Sequence, residues 1–347
     1  MTSNHFDTIV IGASLAGLTA AALSVQQGQR TALVASGPGS FALGSACLKT
    51  AHIAQCATHP GFAPAIAFFR DFTCQAGIPF EGDPAISRNL PTLLGQLQPV
   101  ALAPHLQWNA DLRGHLATAI VGIRGLSAFE PNFLADRLNH QATQNGLART
   151  FTPRQVSLPL DHCNSLTTLR IATRFDRDPA FRDQLLNSLH HAAQGFQRIL
   201  IPAILGLTTS ALALAQFESQ LGCTLAELPT LPPSIPALRL FHRLSTHLTT
   251  LGVEQFQGFP VSSLEIQNNL CSTVQIDSPA RPLVLYPGTV ILATGRQSTG
   301  KLRGPLRAAN LFSAAPPTPT TPSNEVTQIL SGYSAAHAAA ATGAPCA

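Results

Sequence analysis

Thr8-Ile9-Val10-Ile11-Gly12-Ala13-Ser14-Leu15-Ala16-Gly17-Leu18 decides the fold of this chain. The β-branched run at residues 8–11 reads as a short buried strand. Leu15, Leu18, Ala22 and Val25 then recur at helical spacing, and Gly28 is placed to end that helix. Residues 31–35 form a second apolar strand, so strand, turn, helix and strand follow one another in about thirty residues. Such a glycine turn suits a phosphate-bearing cofactor. The first glycine makes the turn, the middle one admits backbone close to a pyrophosphate, and the third lets helix pack on strand, while the helix start offers free N–H groups. Gly12 and Gly17 hold the outer places, but Ser14 stands in the middle one, where its side chain either crowds the pyrophosphate or donates a hydroxyl to it.

The candidate cofactor residues of this turn are Gly12, Ser14, Leu15, Ala16 and Gly17. The acidic residue that usually ends the second strand and binds an adenosine ribose is missing, because the row reads Val34-Ala35-Ser36-Gly37. Either Ser36 replaces it weakly, or the site holds a mononucleotide flavin, which has no adenosine ribose. A second sign comes late in the chain. Val290-Ile291-Leu292-Ala293-Thr294-Gly295 is an apolar strand ending in small residues, as in flavoproteins where a second backbone segment passes close to the cofactor. Ala293, Thr294 and Gly295 therefore join the candidate set. The same N-terminal turn admits a hydrolase reading, with Ser14 as the nucleophile of a strand-to-helix elbow. Several strands should precede such an elbow, and here only one does.

Composition narrows the classes. The 347 residues are 45% hydrophobic and 11% charged, with 25 Gly and 27 Pro, which fits well-buried α/β structure with many turns and about two domains. The formal charge of +4 comes from scattered basic residues without a Lys/Arg run, so nucleic acid is not an expected partner. The seven cysteines, at 47, 56, 74, 163, 223, 271 and 346, lack zinc or iron–sulfur spacing and read as free thiols of a reducing cytoplasm, and no metal site is expected. No basic and apolar leader opens the chain. Residues 199–217 carry no charge, yet Pro202, Gly206 and Thr208-Thr209-Ser210 interrupt them. A strand at 198–204, a turn and a helix capped by Thr or Ser explain the stretch better than a membrane span.

Between the two cofactor segments the pattern predicts helices at 64–75, 131–144, 178–194 and 235–251, strands at 117–123 and 148–158, and sheet at 253–266 and 271–286. Residues 37–58 read as loop-rich, and 91–104, rich in Leu and Pro, resist assignment. A Pro/Thr linker at 315–322 and a short Ala-rich helix at 334–341 close the chain. Arg239 and Arg243 lie one helical turn apart and present either a forked site for a phosphate or a solvated basic face. Arg239 is the candidate for a substrate phosphate. His190-His191 and the other ten histidines show no ligand spacing.

These residues resemble a known family, the B subunit of the anaerobic glycerol-3-phosphate dehydrogenase. The likeness is carried by residues 6–12 with Leu15-Ala16-Gly17-Leu18, by Val121-Gly122-Ile123 with Gly125-Leu126 and Phe129, and by Ile199-Leu200-Ile201-Pro202-Ala203 with Gly206-Leu207. Most specific is Leu228-Pro229-Thr230-Leu231-Pro232-Pro233-Ser234 with Arg239-Leu240. It covers roughly residues 5–305 and fades at the C-terminus, where only Gly332-Tyr333-Ser334-Ala335-Ala336-His337 resembles the family's closing helix. The resemblance implies an α/β, Rossmann-like FAD/NAD(P)-binding flavoprotein fold with an inserted α/β domain. The expected division is a flavin domain at 1–85, the insertion at 86–235, a β-rich return segment at 236–310 and a C-terminal linker and helix at 311–347. It further implies a flavin (FMN or FAD), and as partners the catalytic A subunit and the membrane-bound iron–sulfur C subunit. The implied reaction is oxidation of sn-glycerol 3-phosphate to dihydroxyacetone phosphate, with electrons passing towards quinone. The expected location is cytoplasmic, at the inner face of the membrane through those partners. A non-catalytic assembly subunit that keeps the fold and has lost the cofactor is the alternative.

Overall fold

The computed structural model describes residues 4–113, 116–144, 150–158, 166–278, 282–295, 307–315 and 323–342. Cys163, Cys346, the first two residues of the strand expected at 148–158 and most of the Pro/Thr stretch lie outside them. In chain order the first elements are β1 (His5–Ala13), α1 (Leu15–Gln26), β2 (Thr31–Pro38), β3 (Leu48–Lys49), α2 (Thr50–Cys56), α3 (Phe62–Gln75), β4 (Phe80–Gly82), β5 (Arg88–Pro91) and β6 (Leu97–Pro104). Next come α4 (His105–Trp108), β7 (Thr118–Ile123), α5 (Pro131–Gln144), β8 (Phe151–Val156), α6 (Thr168–Arg177), α7 (Pro179–Ala193), β9 (Arg198–Pro202), α8 (Ala211–Leu221) and β10 (Thr224–Leu228). The chain ends through α9 (Ile235–Thr250), β11 (Glu254–Gln257), β12 (Val261–Gln267), β13 (Leu270–Ile276), β14 (Leu283–Leu292), β15 (Leu311–Ser313) and α10 (Glu325–Thr342). Among the described residues no helix is long and apolar enough to cross a membrane.

The chain divides into two compact units, residues 1–41, 54–76 and 244–347 forming one and residues 42–53 and 77–243 the other. The insertion thus runs from 77 to 243 rather than from 86 to 235. It also takes in 42–53, because β3 pairs with β6 and not with the sheet of the first unit.

In the first unit the sheet runs β11-β2-β1-β14-β13-β12, with β15 on the other flank of β14. β1 lies between two parallel neighbours, with Val10 opposite Leu33 on β2 and Ile291 on β14. A strand so placed is covered on both faces, and this explains why the run at 8–11 is continuously apolar rather than alternating. Ile9, Val10, Val290 and Ile291 are fully buried. Helix α1 is buried along Leu15–Ser24, because the sheet takes one side and α10 another. Gly332 of α10 sits on the backbone of Ala16, where any side chain would overlap the Ala16 carbonyl. The closing helix expected at 334–341 therefore begins nine residues earlier. Asn324 caps it, its side chain accepting from the Thr327 N–H at 3.0 Å while the Asn324 N–H donates to Thr327 Oγ1 at 2.9 Å.

The second unit carries a parallel sheet in the order β10-β9-β7-β8 and a small antiparallel sheet of β3, β6 and β4 with β5. β7 and β9 are buried from end to end, and their aliphatic side chains join one core with α5, α6 and α7. The uncharged stretch at 199–217 resolves into β9, a loop and α8, which Ser210 caps by accepting from the Ala213 N–H at 3.2 Å.

Candidate functional site

The glycine turn is held by contacts that explain each residue type. Gly12 has φ +109°, and a Cβ there would lie 2.7 Å from the Ala293 carbonyl carbon and oxygen. Only glycine meets both demands. Gly17 packs on the Gly12 carbonyl with no room for a side chain, which is the close helix-on-strand approach assigned to the third glycine. The Ala293 N–H donates to Ile11 O at 2.8 Å, so the end of β14 is locked beside the turn.

Ser14 is the N-cap of α1. Its Oγ accepts from the Gly17 N–H at 3.3 Å and donates to the Ala293 carbonyl at 2.8 Å. The hydroxyl is thus turned into the protein, with its proton on the Ala293 carbonyl. Leu15 and Ala16 keep amides that have no intrahelical acceptor. Gly39, which no sequence pattern singled out, lies over the turn: its N–H donates to Ala13 O at 3.2 Å, and a Cβ on it would lie 2.6 Å from Ser14 Cα. The only signal for it was a Gly-Pro-Gly string after a strand. Ser36 stands exposed in a bulge of β2, which leaves β1 after Val34 and meets it again where Pro38 lies opposite Ala13. Thr294 Oγ1 is buried and makes no hydrogen bond among the described residues, and Gly295 follows with φ +71°. The first unit thus gathers Gly12, Ser14, Leu15, Ala16, Gly17, Ala293 and Thr294, and leaves Ser36 at the rim.

Arg239 requires a correction. It is 4% exposed, and its Nη1 donates to Glu227 Oε2 at 2.7 Å, Nη2 to Glu227 Oε1 at 3.3 Å and Nε to Gly206 O at 2.9 Å. Glu227, wholly buried, also accepts from the Ile204 and Leu205 N–H groups at 2.8 and 2.7 Å. The guanidinium fork is filled by a carboxylate of the same unit and offers nothing to a substrate phosphate. The pair instead ties β10 and α9 to the loop after β9.

The other end of that loop is held by Asp176. Burial pushes its carboxyl up, but hydrogen bonds from Thr209, Leu207 and Thr208 outweigh burial and hold it below the usual range. His242 is held below its ordinary value by burial, against the charge of Asp176. His105 has a carboxylate on each ring nitrogen, Glu81 at Nδ1 and Glu218 Oε2 at 3.0 Å from Nε2. Its pKa is raised to about 9, by the bond to Glu218 foremost, against the lowering effect of burial and with the bond and charge of Glu81 added. Among the described residues no group of His, Cys, Asp and Glu could hold a metal ion.

No protein-family model matches the chain. Among curated proteins it is similar to the B subunit of anaerobic glycerol-3-phosphate dehydrogenase from Pasteurella multocida, with 27% identity over 88% of this chain and 80% of that protein. It is likewise similar to the protein of the same name from Glaesserella parasuis, with 26% identity over 76% of this chain and 69% of that one. The family likeness read from the sequence is shown by these relatives. Among solved structures, 3-ketosteroid delta1-dehydrogenase from Sterolibacterium denitrificans covers 84% of this chain and 48% of its own, at 14% identity and a TM-score of 0.37. The halogenase CndH, described as a variant of FAD-dependent halogenases, covers 86% and 38% at 14% identity and 0.32. Likeness this loose adds nothing to a fold that stands on its own strand order.

Proposed function

We propose that this chain is a flavin-binding oxidoreductase subunit of an anaerobic glycerol-3-phosphate dehydrogenase complex. The observation that carries the reading is the interlock of the Gly12–Gly17 turn with the end of β14, beside which Thr294 Oγ1 is buried without a partner among the described residues. A buried polar atom left unpaired calls for an explanation, and a hydrogen-bonding ligand supplies one. The Leu15 and Ala16 amides at the start of α1 would hold a phosphate oxygen, aided by the helix dipole. Thr294 would bond the cofactor from the other side, and the backbone from Ala293 to Gly295 would pass close to it. A bound flavin supplies a two-electron acceptor, and the protein's part is to orient it and exclude competing reactions.

The names of the curated relatives support glycerol 3-phosphate as the substrate and the company of further subunits in a complex. These would be the catalytic A subunit and the membrane-bound iron–sulfur C subunit, which passes electrons to quinone. Attachment to the inner face of the membrane would then come through those partners. The second reading, an assembly subunit without cofactor, draws on one observation, that Ser14 Oγ already occupies the Gly17 amide. Purified full-length protein decides between them. The flavin reading expects visible flavin absorbance and a flavin released by heat. Colourless protein that takes up neither FMN nor FAD would overturn it in favour of the assembly role.

A further inference from the structure

Granted the flavin reading, on which this rests, we propose that Ser14 and Gly39 are specificity-determining residues that close the adenosine half of the site. In a dinucleotide-binding βαβ unit the adenosine ribose lies between the glycine turn and the end of the second strand, where an acidic side chain takes its hydroxyls, and the pyrophosphate draws on the amides of the first helical turn. Each of these provisions is altered here in the same direction. The second strand does not stop short of the turn: after a bulge past Val34, β2 meets β1 again with Pro38 opposite Ala13. The next residue folds across, with the Gly39 N–H on the Ala13 carbonyl and the Gly39 Cα against Ser14, so close that a Cβ would lie 2.6 Å from Ser14 Cα, 3.0 Å from its Cβ and 3.0 Å from its N. Protein backbone would therefore stand where the ribose has to lie. No carboxylate occurs in the segment from Ser36 to Gly39.

The amides tell the same story. Gly17, third in the helix, gives its N–H to Ser14 Oγ, leaving those of Leu15 and Ala16. Two adjacent amides suit one phosphate group, whereas a pyrophosphate would lose a donor it ordinarily uses. The Ser14 hydroxyl cannot compensate, because its proton is committed to the Ala293 carbonyl at 2.8 Å. Ser14 and Gly39 thus act together, one by occupying an amide and supporting the covering segment, the other by letting that segment lie flat.

The test is a comparison of FMN and FAD binding to flavin-free, full-length protein, followed by flavin fluorescence. Wild type should bind FMN at least about tenfold more tightly than FAD. Ser14→Gly frees the Gly17 amide and removes the side chain under the covering segment, and a charge-assisted hydrogen bond regained by the pyrophosphate should narrow that ratio by roughly tenfold. Gly39→Ala drives the segment off Ser14 from outside any helix and should narrow it too, so the test survives if Ser14→Gly fails to fold. Ser14→Ala keeps the methylene under the segment and should narrow the ratio less than Ser14→Gly. Equal affinities in wild type, or a ratio unmoved in both Ser14→Gly and Gly39→Ala, would overturn the assignment while leaving the flavin reading intact. Binding of neither flavin by wild type would remove the flavin reading, and this inference with it.

Discussion

Removing the Arg239 guanidinium should unfold the inserted unit at markedly lower temperature. Glu227 is wholly buried, and Arg239→Ala would leave its carboxylate with two backbone N–H partners and no counter-charge. Breaking a buried ion pair from one side costs about 3–5 kcal/mol, because the remaining charge stays desolvated. For a unit of this size, roughly 2–4 °C of Tm per kcal/mol turns that into a fall on the order of 6–20 °C. Scanning calorimetry of the full chain reads it directly. Glu227→Gln keeps an acceptor for one of the Ile204 and Leu205 amides and should cost less. The double variant Arg239→Met, Glu227→Gln should cost less than the sum of the singles, since the stranded charge is gone. If Arg239→Ala shifted Tm by less than about 2 °C, the guanidinium would not be serving Glu227, and its assignment to a substrate phosphate would have to return.

Four further outcomes follow from single contacts. Gly12→Ala forces a Cβ to within 2.7 Å of the Ala293 carbonyl at φ +109°; strain and overlap together should cost about 2–5 kcal/mol in denaturant unfolding, and a wild-type midpoint would show the turn to be loose. Ser14→Ala removes a helix cap and should cost about 1 kcal/mol, measured by the same unfolding curve. Gly332→Val would push α10 off the Ala16 carbonyl, and hydrogen exchange of α1 should rise; unchanged protection would contradict the packing described. His105, raised to about 9 in the folded chain, stabilises the inserted unit fully below the ordinary histidine range, and this contribution fades as pH rises through about 9. The side chain is nearly half exposed, so the effect on stability is modest. An NMR titration of His105 should show the elevated midpoint, and Glu218→Gln should lower it.

What the sequence disclosed depended on whether the physics was local. The opening unit was legible because β-branched residues, two glycines and a helical repeat fall in one window. α5 was legible from end to end because Pro131 sits at its first position and the apolar stripe is unbroken. α6 was missed: Arg170, Arg174 and Arg177 cover one face, and its few buried residues, Thr168, Ile171, Ala172 and Phe175, look sparse until a sheet is placed beneath them. β6 lay hidden in the Leu- and Pro-rich stretch at 91–104, where Pro99 and Pro104 obscured a strand made by its partners. Three-residue β15 exists only because β14 pairs with it.

The candidate site divides the same way. Local sequence placed Gly12, Gly17 and the end of β14, and strand order then brought them together. The fate of Ser14 was not legible, since the Ala293 carbonyl that takes its proton lies 279 residues away. Arg239 and Arg243 repeated at helical spacing, but spacing gives a face and not its neighbour. Glu227, on the adjacent strand β10, fills the fork that looked open.

A crystal structure of the full chain grown with FMN tests the central claim most directly. The phosphate should lie at the Leu15 and Ala16 amides with Thr294 Oγ1 bonded to the cofactor. Flavin density elsewhere, or a glycine turn unchanged and bare at saturating FMN, would contradict it.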